Sequence, residues 1–118
     1  MQQLVDRLVA VAGLDRDRAE RAARIVLGML EREAPPEAVE RLFGAMEGAR
    51  ESARLDGEAA HSGGYGAMSA LNALTAAGLS VRQAQAVTRE IVLYAREKAG
   101  TELVDPIVRA VPGLPSLS

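Results

Sequence analysis

The residues with the means to do chemistry gather in one short stretch, HSGGYG, which supplies His61, Gly63, Gly64, Tyr65 and Gly66. His61 is the sole histidine, and imidazole is the one side chain that ordinarily titrates near neutral pH. Glycine-rich backbone leading into a helix presents amide hydrogens toward one point, which suits an anion. The stretch lacks the lysine of a phosphate-binding loop, a strand ahead of it and the spacing of a dinucleotide fingerprint. Its chemistry is that of a generic ligand loop for a small apolar or anionic molecule, set against the plainer reading of a flexible linker with a solvated histidine.

Other chemistries find no support. The chain has no cysteine, which excludes disulfides, thiol catalysis and cysteine-ligated metal. One histidine builds no metal cluster or triad unless carboxylates or hydroxyls do the rest. Ser62, Ser69, Ser80 and Ser116 stand in no nucleophile-elbow pattern. Tyr65 and Tyr94 read as packing residues with a polar tip. No catalytic residue, metal site or cofactor is assigned, and the chain reads as non-enzymatic.

The elements that must position the loop repeat themselves. Shifting the chain by 65 positions lays residues 77–114 on residues 12–49 without a gap, with about ten identities. Ala12-Gly13-Leu14 falls on Ala77-Gly78-Leu79, Arg24 on Arg89, Glu37 on Glu102 and Gly48 on Gly113. In the first copy, Leu4, Val5, Leu8, Val9 and Val11 recur at helical spacing over residues 2–12. Gly13 suits the left-handed residue that ends such a helix, and Asp15 the cap that starts the next. The second helix, residues 16–34, carries Ala19, Ala22, Ala23, Val26, Met29 and Leu30 on one stripe and charged residues elsewhere. Pro35-Pro36 stops it and opens a third over residues 37–46, burying Val39, Leu42, Phe43 and Met46.

The second copy follows the same grammar. Met68, Leu71 and Leu74 form the stripe of its first helix, and Ser80 caps the next. Val81, Ala84, Val87, Ile91, Tyr94 and Ala95 then face inward until Gly100. Thr101 is the expected cap of the last helix, where Pro106 either kinks the helix or starts it. A three-helix unit of this size with hardly any aromatics buries too little apolar area to offset its ordering entropy. The expected fold is therefore all-α: a six-helix bundle from two tandem three-helix repeats, residues 2–49 and 67–114, with approximate two-fold pseudosymmetry. The two long arginine-bearing helices sit near its middle. A connector, residues 50–66, joins the repeats, its first part able to add a helical turn or two, and residues 1–118 form one domain.

Composition limits the partners. The formal charge is −2 and acidic and basic residues are interspersed, which excludes nucleic acid as a main partner because phosphate binding needs a clustered basic face. Residues 61–81 carry no formal charge apart from His61 when protonated, yet glycine and hydroxyl residues dilute that span too far for a bilayer crossing. It reads as a loop and a buried helix. Charged Asp6 and Arg7 interrupt the first apolar run, so no signal peptide is expected and the location is cytoplasmic.

The phrases AGLDRDRAERAARIVLGMLEREAPPEAVERLFGAMEG and REIVLYAREKAGTELVDPIVRAVPGL together resemble bacterial proteins of the family known as domain of unknown function 2267. The likeness spans both copies and implies a duplicated helical fold; it brings no catalytic residue. At Met46-Glu47-Gly48 the first copy departs from the leucine or isoleucine, proline, glycine turn of that pattern. The expected function is a small interaction or scaffold module, a homodimer or binder of a protein partner. It predicts exposed apolar residues on the alanine-rich helix from residue 67 or along residues 111–117. The alternative is a carrier of a small apolar or anionic ligand held between the repeats at the glycine loop.

Overall fold

The computed structural model describes residues 1–55 and 64–117. Its elements are α1 (Gln2–Ala12), α2 (Arg16–Glu33), α3 (Pro36–Ala45), α4 (Ala49–Arg54), α5 (Ala67–Ala76), α6 (Val81–Ala99) and α7 (Thr101–Ala110), with no strand among the described residues. Among the described residues the count is seven where six were expected, because Gly48 adopts the left-handed conformation and restarts a short helix in the connector. No helix among the described residues is long and apolar enough to cross a membrane.

Local chemistry sets the boundaries. Gly13 ends α1 in the left-handed region, its amide donating to the Val9 carbonyl. The Asp15 carboxylate accepts the Arg18 amide at 2.8 Å and starts α2. Ser80 starts α6 through a capping box: its hydroxyl accepts the Gln83 amide while the Gln83 side chain accepts the Ser80 amide. Pro36 opens α3, where its missing N–H costs nothing. Thr101 is not a cap; Gly100 takes that place and Thr101 begins α7, because glycine supplies the positive φ of 89° the turn requires. Pro106 lies within α7, which runs on through it.

The bounds of α1 to α3 recur in α5 to α7 at the offset of 65 to within one residue. Backbone angles recur too: Asp15 and Ser80 have φ −71° and ψ near 165°, and Gly48 and Gly113 have φ 83° and 84°. The Met46 amide donates to the Phe43 carbonyl as the Val111 amide does to Val108, so the turn at Glu47 matches the turn at Pro112 although proline is absent from it.

The long helices α2 and α6 touch each other and lie at the centre. Both α1 and α5 rest on α2 and on α6, α4 runs along α2, and α3 meets α2, α4, α6 and α7. One apolar cluster draws on all seven helices. Leu4, Leu8, Ile25, Leu27, Leu42, Leu74, Ile91 and Ile107 are fully buried in it, each contributing about 1.5–3 kcal/mol. The stripes expected on α2 and α3 are buried as read, and so are Ala84, Val87, Ile91, Tyr94 and Ala95 on α6. Val81 is instead exposed at the first position of α6, and Val11 at the end of α1.

α5 is rotated relative to its expected stripe. Its inner face is Ser69, Ala70, Ala73 and Leu74, whereas Met68 is exposed and Leu71 half-buried. α5 lies against both long helices with Ser69, Ala70, Ala73 and Leu74 turned toward them. Of the row of small residues, Ala67, Ser69, Ala70 and Ala73 pack within the molecule, Ala77 is half-buried and Ala76 is exposed.

Candidate functional site

Gly66 has φ 62° and ψ −147°, a combination open essentially to glycine alone. A Cβ there would stand 2.4 Å from the Pro112 carbonyl oxygen. That same carbonyl accepts the Ala67 amide at 2.9 Å, and the buried Ser69 hydroxyl donates to the Gly66 carbonyl at 2.8 Å. These contacts lock the start of α5 against the segment after α7. Beyond Pro112 the chain turns at Gly113, and the buried side chains of Leu114 and Leu117 anchor it to the core.

Between the two walls lies an open cleft of about 440 Å³. Gly64, Tyr65, Ala67, Met68 and Leu71 form one side, and Pro112, Gly113, Ser116 and Leu117 the other. Tyr65 is 71% exposed and Met68 53%, so the side chains that line this wall are open to solvent. Among the described residues no lysine, arginine, aspartate or glutamate lines it. Such a surface removes apolar groups from water and offers an ion nothing to pair with.

The expected loop is only partly placed. Gly64 and Tyr65 line the cleft; Gly66 holds its wall in position; His61 and Gly63 lie outside the described residues. At this helix start the Ala67 amide donates to the Pro112 carbonyl and the Ser69 amide to the Gly66 carbonyl. The cleft therefore fits the apolar half of the ligand expectation. It also lies beside the C-terminal half, between α5 and the segment after α7, and not between the two halves. Residues 111–117 present no apolar row to solvent, since Val111, Leu114 and Leu117 are buried.

Met68, Leu71, Pro112 and Leu117 escaped the sequence reading as lining residues. The signal that could have found them is the comparison at 65 positions. Gln3 corresponds to Met68, Asp6 to Leu71, Glu47 to Pro112 and Ser52 to Leu117. The corresponding region of the first half holds a polar cleft of about 360 Å³, lined by Gln2, Gln3 and Glu47 together with Tyr94 and Lys98.

Charge is concentrated where α1 crosses α6. The Arg7 guanidinium donates to Glu90 through Nε at 2.7 Å and to Glu97 through Nη2 at 2.7 Å. Its carbon lies 5.1 Å from the centre of the Tyr94 ring, within cation–π range. Hydrogen bonding to Glu97 raises the Arg7 pKa further and burial opposes it, with Glu90 adding to the rise. The same bond holds the Glu97 carboxyl below the usual carboxylate range. Among the described residues no three histidine, aspartate or glutamate side chains are grouped to hold a metal ion.

No family model matches this chain, and neither does any curated protein or solved structure.

Proposed function

We propose that the chain is a non-catalytic helical interaction module that binds through the cleft at Tyr65, Met68 and Leu71. Its frame on this reading is two tandem three-helix units, residues 2–49 and 67–114, related by an approximate two-fold axis, with α4 as an addition. The frame is supported by the recurrence of helix bounds and cap angles at one offset, and by crossed packing in which α1 lies on α6 and α5 on α2. It is also supported by a matched pair of loop contacts. The Gln83 side chain donates to the Ala12 carbonyl at 3.0 Å, while Arg18, 65 positions earlier, lies against Gly78. The resemblance to domain of unknown function 2267 implies the same duplicated frame.

The observation that carries the functional reading is the difference between matched faces. Where the first half has Gln3, Asp6 and Glu47, the second has Met68, Leu71 and Pro112. The fold accepts polar groups at these positions, so the apolar set on the second half has a use other than holding the fold together. A second reading, a carrier of a small apolar molecule, draws on the same cleft, whose volume lies within the range of ligand pockets.

A neutral fluorescent probe such as N-phenyl-1-naphthylamine tests the site. Its emission is expected to rise on binding the native protein and to fall at least about tenfold in affinity with Met68→Glu. Gln3→Glu, on the matched face, is expected to leave binding unchanged. Equal loss from both substitutions would remove the cleft from consideration.

A further inference from the structure

Resting on that reading, we propose that Met68 is a redox switch of the cleft: oxidation of its thioether to the sulfoxide by a peroxide closes the site to apolar molecules, and reduction reopens it. The first observation behind it is selective access. The chain has four methionines and neither cysteine nor tryptophan, so its thioethers are the side chains that a peroxide oxidises most readily. Met29 and Met46 are fully buried in the core and Met1 is half-buried. Met68 is more than half exposed, and susceptibility follows exposure.

The second observation is place. Met68 lines the cleft beside Tyr65 and Leu71, with Pro112 and Leu117 on the other wall. Its stem is seated against Gly64, where a Cβ would stand 3.4 Å from the Met68 Cγ. The thioether therefore belongs to the wall that an apolar occupant must touch. In the oxidation the sulfur gives two electrons to one oxygen of hydrogen peroxide; the S–O bond forms, the O–O bond breaks, and the second oxygen takes the proton of the first and leaves as water. The sulfoxide oxygen is a strong hydrogen-bond acceptor, which an apolar occupant would strip of water and leave unpaired. In the reverse step two reductase thiols supply two electrons and become a disulfide, and the oxygen leaves as water. The matched position of the first half holds Gln3, which has no sulfur to oxidise. The core does not take part, because α5 buries Ser69, Ala70, Ala73 and Leu74 and not Met68.

The test treats the folded native chain with hydrogen peroxide, removes the peroxide, and follows peptide mass, circular dichroism and binding of N-phenyl-1-naphthylamine. Met68 is expected to gain one oxygen at least about tenfold faster than Met29 or Met46. Probe affinity is expected to fall at least about tenfold as Met68 is oxidised, with unchanged helicity. It is expected to return on treatment with the two methionine sulfoxide reductases that between them accept both sulfoxide epimers. Met68→Leu, which has no thioether in the cleft, is expected to show a probe affinity that peroxide does not change. Five results would each overturn the switch while leaving the cleft in place: even oxidation of all the methionines, binding that survives oxidation of Met68, a loss of binding that follows a loss of helicity, a loss that the reductases do not reverse, or a peroxide-sensitive Met68→Leu. If the untreated native chain does not bind the probe, the cleft reading falls and the switch falls with it.

Discussion

The outward faces of α1 and α5 share a backbone and little else. α1 presents Gln2, Gln3 and Asp6 to solvent, and α5 presents Met68 and the half-buried Leu71 at the matched positions. Their inward faces differ in the opposite sense: α1 buries Leu4 and Leu8 where α5 buries Ser69 and Ala73. α1 is thus a conventional amphipathic helix, large and apolar within, polar without. α5 buries mostly small side chains beside Leu74 and exposes Met68, Thr75 and Ala76. Both rest on α2 and α6, so the frame tolerates either distribution. The difference leaves Met68 and Leu71 on the second half where the first half has Gln3 and Asp6.

The most drastic way to break the comparison is to separate the halves. Because α1 lies on α6 and α5 on α2, each half leaves part of its long helix uncovered when alone. Residues 1–55 and 64–118 expressed as separate chains are expected to lack a cooperative thermal transition, and mixing them is expected to restore helicity. A cooperatively melting monomer from either piece would show that the halves are independent units.

A smaller effect sharpens the contrast between glycines. Gly66→Ala forces a Cβ toward a backbone carbonyl at a φ that disfavours side chains, and is expected to cost about 3 kcal/mol in urea unfolding. Gly44, inside α3, has open space around it and ordinary helical angles. Gly44→Ala is expected to stabilise by about 0.5–1 kcal/mol. A harmless Gly66→Ala would mean that the wall of the cleft is not fixed by its contact with Pro112.

The smallest effect concerns the charged crossing of α1 and α6. Arg7→Met removes a guanidinium shared by two carboxylates and an aromatic ring, and is expected to cost about 1–2 kcal/mol. Arg16→Met removes an exposed pair with Asp6 and is expected to leave the unfolding midpoint unchanged. The pH dependence follows from Glu97, whose carboxyl is held low by Arg7. The unfolded chain takes up this proton at a higher pH than the native protein does. The contribution is therefore fully present above about pH 5 and is lost as pH falls through the native value. Melting temperatures measured from neutral pH down to pH 3 should fall less steeply for Arg7→Met than for the native protein; parallel curves would remove the pair from the acid response.

Much of the fold was legible because its signals are local. Asp15, Ser80, Gly13, Gly78 and Pro36 each act on amides or carbonyls within a few residues, so the helix boundaries could be read in order. Thr101 was misjudged because a glycine beside it met the same need through a positive φ. The short helix after Gly48 was foreshadowed as a turn or two of the connector, and its bounds depended on packing against α2. The orientation of α5 was illegible for another reason. Nearly every residue from Ala67 to Ala77 is apolar or small, so periodicity cannot say which side turns inward.

The sequence by itself determined most helix boundaries, the all-helical class and the offset at which the pattern returns, because capping and hydrophobic spacing act over three or four residues. Only the tertiary structure decided that α5 turns Ala70 and Ala73 inward and Met68 outward, and that Gly66 meets the Pro112 carbonyl. Those outcomes depend on groups far apart in the chain competing for the same space beside α2 and α6. The cleft exists because that competition leaves the start of α5 and the segment after α7 touching at their bases and open at the surface.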